Sequence, residues 1–386
     1  MQLTSKLPGY AKLAFTLTSI SLIIAILYLG QNIIVPVLMS LLFAILLRPV
    51  VRFLNLKMRL PHVIAVLIAV ILFVTLISGI VLFVSNQVGA ISNDWETIKS
   101  NLEIHYHHLQ KWTKQTLNIS YKEQEKYLKQ AKENSMNGEG TIVGTTISNF
   151  TEMLMSAVLI PFYTFLILLY RNLFMRFLSK LVKAENQQKL QEILFNIKIA
   201  IQSFLVGLLF EMGIVSTLTT IGYMVIGVPY ALLLGVITGL LNLIPYIGIL
   251  IAGLLSIVAT LSVSSDFSAA FGVIIINIVV QLIDNNLIVP LVVSSKVRIN
   301  AFISVVSIVI GGAIGGVAGM FLAIPVLAIL KVIFDRIEAL EPWGFLMGDD
   351  LPKTFEFAKI KFPSLDAGNH NDFENDPAKE NTSDKI

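Results

Sequence analysis

Eight apolar runs, at 13 to 29, 33 to 47, 63 to 85, 150 to 170, 204 to 226, 230 to 262, 267 to 293 and 301 to 330, occupy most of the chain. Most have the length a helix needs to cross a hydrocarbon layer, so the pattern predicts an all-α integral membrane protein. Two runs are too long. As straight helices, 230 to 262 would reach about 50 Å and 301 to 330 about 45 Å, against a bilayer core of about 30 Å. A tilt of roughly 50° would be needed, beyond the usual range. Both runs are also interrupted, the first by Asn242 and Pro245 in GLLNLIPYIG and the second by the glycines of GGAIGGVAG. Each is therefore expected to be a broken span or a re-entrant hairpin that enters and leaves on one side.

Polar stretches divide the rest. Residues 86 to 147 read as two or three amphipathic helices ending near NSMNGEG, an insert facing away from the cytoplasm. Residues 171 to 201 carry Leu190, Ile193, Leu194, Ile197 and Ile201 at helical spacing, which predicts an amphipathic helix lying along the inner membrane face. The expected units are 1 to 85 (membrane helices), 86 to 147 (insert), 148 to 335 (core) and 336 to 386 (cytoplasmic tail). From Ser364 on, six acids face only Lys379 and Lys385, and this polar end is expected to be disordered. Lys6 and Lys12 precede the first apolar run as in a signal peptide, but no small-residue cleavage site follows, so the run is read as a retained span.

Charge bears on topology. Short basic connections stay in the cytoplasm, and here they are Arg48 to Arg59, Arg171 to Lys198, Lys296 with Arg298, and Lys331 with Arg336. Eight simple spans would leave Lys296 and Arg298 outside. Two hairpins, the first entering from outside and the second from inside, bring every basic connection and both termini to the cytoplasm. Both arrangements stay open at this point.

Of 386 residues, 55% are hydrophobic and 14% charged, with formal charge +3 and mean hydropathy +0.78, which excludes an ordinary soluble domain. With no cysteine, disulfides and thiolate metal sites are excluded. The chain has no GxxxxGK[ST] loop, HExxH helix, GxSxG elbow or basic aromatic face. Neither an enzyme nor a cofactor nor nucleic-acid binding is expected, and any active transport would draw on an ion gradient.

Asp284 and Glu211 fall well inside apolar runs, where an ionisable group is a functional candidate by default. Asp284 lies in NIVVQLIDNNLIVP among Asn277, Gln281, Asn285 and Asn286. Positions 277, 281 and 284 share a helical face, so Asn277 and Gln281 are expected to hydrogen-bond the carboxyl. Glu211 follows Ser203 and Gly207 on one stripe. In the two-hairpin topology the acids lie at similar depths, about 10 and 14 Å from the cytoplasmic ends of their spans, and can meet. The competing reading is that these groups only join helices. Gly311, Gly315 and Gly319, like Gly312 and Gly316, recur every four residues and form a close-packing surface. His105 and His108 in IHYHH share a face, without a further ligand cluster for a metal.

GLLNLIPYIG, DNNLIVPLVVSSKVRINAFIS and GGAIGGVAGMFLAIPVLAILK, in that order, resemble the motifs of the autoinducer-2 exporter family of bacterial permeases. The likeness runs from RPVVRFL to DRIEALEPWGFLMGD. It implies a multi-pass protein of the bacterial cytoplasmic membrane with about eight hydrophobic segments, assembled as a homo-oligomer. On this resemblance the family's PYIG motif falls on Pro245, Tyr246, Ile247 and Gly248. Its acidic helix falls on Asp284, Asn285, Asn286 and Pro290, and its glycine motif on Gly311, Gly312, Gly316 and Gly319, ahead of Pro325. One departure is Gly315, where many members carry an aromatic. The family's implied activities are export of autoinducer-2 and sodium/proton antiport. The expectation is thus a secondary permease for a small polar solute, or a sodium(lithium)/proton antiporter, with the bilayer, the solute or monovalent cation, and protons as partners. An oligomeric passive channel and a membrane scaffold are the competing classes.

Overall fold

The computed structural model describes residues 9–93, 95–136, 142–245, 247–263, 267–292 and 299–349. All regular elements among them are helical. They are α1 (Gly9–Leu29), α2 (Gln31–Leu56), α3 (His62–Asn93), α4 (Trp95–Leu117), α5 (Tyr121–Met136), α6 (Ile142–Leu169), α7 (Arg171–Leu181) and α8 (Gln187–Val225). Then come α9 (Ala231–Asn242), α10 (Ile247–Val263), α11 (Phe267–Ile283), α12 (Val289–Val292), α13 (Ala301–Phe334) and α14 (Glu341–Leu346). Among the described residues five helices are long and apolar enough by length and composition to cross a membrane, or six if the pair Ser156–Leu169 and Arg171–Leu181, bent by 66°, is one span; one of the five, Ala301–Phe334, is folded at its middle. Apolar side chains cover the outside as well as the core: Val63, Ile64, Leu67, Ile71 and Leu72 of α3 are exposed, as a surface facing lipid requires.

Helix α2 is the pillar. On one side Ala44, Leu47 and Val51 pack against Leu168 of α6 and against Ala65, Val66 and Ala69 of α3, where the alanines four apart let the backbones approach. On the other side Leu42 joins Ile201, Phe204, Leu205 and Leu208 of α8 and Leu322 of α13. Ser40 Oγ donates to the Pro36 carbonyl at 2.6 Å and to the Ile160 carbonyl at 2.9 Å, so a hydroxyl serves oxygens beside Pro36 and Pro161, each a proline within a helix.

Both over-long runs fold back on themselves. In a straight helix Gly311 and Gly319 would be about 12 Å apart. Here a Cβ on either would strike the backbone carbonyl of the other, and Ile308 packs with Ala323, so the two limbs of α13 are antiparallel and touching. The turn is at Gly315 and Gly316. Gly316 has φ 56° and ψ −141°, a conformation open essentially to glycine alone. The ends of α13 agree with this. Asn300 caps it by accepting from Ile303 N at 2.8 Å, while its Nδ2 donates to Leu346 O at 2.7 Å. Lys331, thirty-one residues on, is buried and donates to Gly344 O at 2.9 Å and to Asp335 at 3.0 Å. Two ends that a straight helix would hold about 46 Å apart share one short segment.

The first run breaks at Leu243–Pro245. A Cβ at Gly248 would collide with the Leu241 carbonyl, and Ala231 and Leu234 pack near Ile257 and Ala259, so α9 and α10 are also antiparallel limbs.

One expectation needs correction. Residues 171 to 201 are not one helix: α7 ends at Leu181, the backbone is extended at Val182 and Lys183, and α8 then runs unbroken through Val225. Leu181 and Leu190 are nine residues apart, which one helix would place on opposite faces, about 180° around. At the edges of the expected insert, α3 continues to Asn93 and α6 starts at Ile142. The start of the expected tail packs onto α13: Asn300 and Lys331 donate to the Gly348 and Gly344 carbonyls. The stretch expected to be disordered lies outside the described residues, as do Asn137 to Gly140, Lys296 and Arg298.

Candidate functional site

The site starts with two missing side chains. Gly235 and Gly239 face α8 so closely that a Cβ on the first would strike Thr220 and the Ser216 carbonyl, and on the second Ser216 and the Met212 carbonyl. As α9 advances, its contacts step backwards along antiparallel α8. Three residues past Gly239 on the same face is Asn242, and the position it meets on α8 is Glu211. Asn242 Nδ2 donates to Glu211 Oε1 at 2.9 Å. The same amide nitrogen lies 3.4 Å from Asp284 Oδ2. All three side chains are buried.

Asp284 comes from the end of α11, which runs against α8 through Tyr223 with Asn277, then Val215 with Val280. Tyr223, Thr219, Val215 and Glu211 are spaced by four and all buried, so one stripe of α8 faces both α9 and α11. At Asp284 the helix widens into a π-turn over Asp284–Ile288, with Val289 N bonded to the Asp284 carbonyl. Pro290 explains it: lacking an N–H and crowding the carbonyl four residues back, it forces the extra residue into the turn. Asp284 Oδ1 is buried without a hydrogen-bond partner.

Three elements thus converge: a long helix (Glu211), the tip of a folded segment (Asn242) and a π-turn (Asp284). Beside them the backbone is interrupted at Leu243–Pro245, where Gly248 N returns to the Ile244 carbonyl at 3.0 Å. Ile244 packs on Ile308 and Ala323, so the tip of the first folded segment touches the limbs of the second. Gly315 at the second tip faces Val35 of α2, and a side chain there would press on it.

The expected partners of Asp284 need correction. Asn277 accepts from Tyr223 OH at 2.9 Å, and Gln281 Nε2 donates to Asn285 Oδ1 at 2.9 Å. The group that reaches Asp284 is Asn242, from another helix. Asn285 and Asn286 are exposed, and Asn286 Nδ2 donates to Leu282 O at 2.8 Å within its own helix. Tyr246 lies outside the described residues. Pro325 is buried in the second limb of α13. Gly311, Gly312, Gly315, Gly316 and Gly319 sit at and around its turn rather than along one straight stripe. His105 is buried, whereas His107 and His108 are exposed. The sequence reading passed over Gly235 and Gly239; the GVITG spacing is the signal that points to them.

Apolar crossing helices, two folded helical segments and carboxyls buried where the folds meet define a multi-pass membrane permease. The chain belongs to the AI-2E transporter family: the model of that family, described as "AI-2E family transporter", matches residues 17–339. Among curated relatives, "Putative transport protein YueF" of Bacillus subtilis (strain 168) is 27% identical over 319 residues, 78% of this chain and 83% of that protein. "Putative transport protein MT0215" of Mycobacterium tuberculosis (strain CDC 1551 / Oshkosh) is 26% identical over 307 residues, 77% of this chain and 81% of the other. "Putative permease PerM" of Escherichia coli (strain K12) is 28% identical over 136 residues, 34% and 38% of the two chains.

Proposed function

We propose that the protein is an ion-coupled secondary permease of the bacterial cytoplasmic membrane, in which Glu211, Asn242 and Asp284 bind the coupling proton or monovalent cation. The observation that carries this is the amide of Asn242 set between two buried carboxyls at a helix break. If both acids are ionised, two negative charges share an apolar interior, and no lysine or arginine is among their hydrogen-bond partners. A proton or small cation is the direct neutraliser. Asn242 rides on the folded segment. Movement of that segment relative to α8 and α11 breaks the amide bridge, which links ion binding to access.

The cargo favoured is a small polar solute such as autoinducer-2, exported against the ion. Sodium(lithium)/proton antiport is the second reading, supported by a site whose groups are all oxygens and one amide. In both, the two folded segments are re-entrant hairpins, both termini are cytoplasmic and the chain works as a homo-oligomer.

The test is counterflow in proteoliposomes holding the purified full chain, offering labelled autoinducer-2, sodium or lithium under an imposed pH gradient. Uphill movement of one of them, abolished in Asp284→Asn, is the expected result. Flux that only ever runs downhill, or single-channel current, would establish a passive pore instead.

A further inference from the structure

We infer that the basic depression between α2 and α8 is a binding site for one anionic phospholipid, whose phosphodiester is held by Arg48, Arg52 and Lys198. Arg48, Pro49, Arg52, Phe53, Leu56 and Lys57 form the α2 wall, and Lys198 and Gln202 the α8 wall, of a cavity of about 400 Å³. Arg171, the first residue of α7, lies within Coulombic reach of both Arg48 and Lys198. Five cations of three separate chain segments therefore crowd one place.

Among the described residues none of these five cations is in an ion pair. The stretches that supply these residues, 1 to 93, 153 to 184 and 193 to 210, contain no Asp or Glu at all. The ion pairs among the described residues, Lys129 with Glu125, Lys331 with Asp335 and Arg336 with Glu192, are elsewhere. Packing like charges together is unfavourable, so a cluster of this kind is held in balance by an anion. Arg48 and Arg52 are one turn apart on the same helix, which aims two guanidinium forks at the same volume, a geometry suited to phosphate oxygens.

The walls decide between a lipid and a free anion. Phe53 and Leu56 are exposed, 52% and 66%, and continue the apolar surface of α2. The Lys57 ammonium sits 5.2 Å from the centre of the Phe53 ring, so the charge lies against the apolar wall. A free phosphate has no use for that wall. A glycerophospholipid does, with its phosphate among the cations and its chains along Phe53 and Leu56, at the boundary where the 26-residue apolar helix α2 turns basic. The bound headgroup ties α2 to α8, the helix that carries Glu211.

The experiment titrates dioleoylphosphatidylglycerol into the full chain in detergent, reading thermal unfolding and lipid adducts by native mass spectrometry. A rise in melting temperature and one tight adduct are expected, absent with dioleoylphosphatidylcholine. The variant Arg48→Gln/Arg52→Gln/Lys198→Gln should weaken phosphatidylglycerol binding about tenfold or more. Where it does not fold, Arg48→Lys/Arg52→Lys, which keeps the charge and removes the forks, should fold and bind more weakly. Equal effects of the two lipids, the same stabilisation by inorganic phosphate alone, or full phosphatidylglycerol affinity in the Lys variant would each overturn the assignment.

Discussion

The two folded segments solve one length problem with opposite chemistry. The α9/α10 pair turns through Leu243–Pro245 and ends α9 on Asn242, buried between acids of α8 and α11. The α13 pair turns through two glycines, has no polar side chain at its tip, and holds its limbs together backbone to backbone. The first turn sets an amide between two carboxyls, whereas glycine removes bulk and leaves a close, apolar contact. The first turn is suited to binding and the second to packing and movement, and substitutions should separate them.

The largest effect is expected at the first. Asp284→Asn removes the ionisable group and keeps its shape, so purified protein should remain monodisperse while coupled flux in proteoliposomes falls by about 100-fold or more. Wild-type flux would reduce the polar tip to glue, and the contrast would collapse. Asn242→Ala, which removes the bridge and leaves both acids, should lose less, about tenfold. In the second segment the damage should be to folding instead. Gly311→Val drives a side chain into the Gly319 carbonyl and should cost about 3 kcal/mol, seen as a lower melting temperature and poor recovery from detergent. Should this variant melt like the wild type, the limbs are not in backbone contact.

Smaller still, Asn300→Ala removes the cap of α13 and two anchors to Leu346 and Gly348, for about 1–2 kcal/mol of stability with transport kept. The smallest effect lies in water. Ser120 and Glu123 form a reciprocal cap at the start of α5: Ser120 N donates to Glu123 at 2.9 Å and Glu123 N to Ser120 Oγ at 3.3 Å. The Ser120 backbone and side-chain bonds hold the Glu123 carboxyl below its ordinary value of 4.5. Because the folded value is the lower one, the cap is at full strength above the ordinary value and is lost as pH falls through the folded one. Amides of the first turn of α5 should exchange faster in acid once intrinsic rates are divided out, and Ser120→Ala should abolish the difference.

Much of this was legible in the residues. Run lengths against bilayer thickness announced that 230 to 262 and 301 to 330 are not single straight helices, and the interruptions at Pro245 and Gly316 marked where they turn. Asp284 and Glu211 stood out because charge is rare in such runs. What residues alone did not reveal was the third partner. Asn277 and Gln281 share a face with Asp284 in an ideal helix, but their hydrogen bonds go to Tyr223 and Asn285 instead. The break at Val182 and Lys183 was also hidden, since the stripe that suggested one helix, Leu190 to Ile201, lies wholly in α8. Asn242 could be singled out as odd, but its meeting with Glu211 depends on which helix α9 lies against, a fact of tertiary packing.

That meeting is governed by Gly235 and Gly239, which act as a ruler, locking α9 on α8 to the residue. One extra amino acid slipped in between 239 and 242 would swing the asparagine about 100° off and leave both helices greasy, inserted and intact. The arrangement is therefore as sensitive to length as to side-chain character, and deletions here should silence the protein without unmaking it.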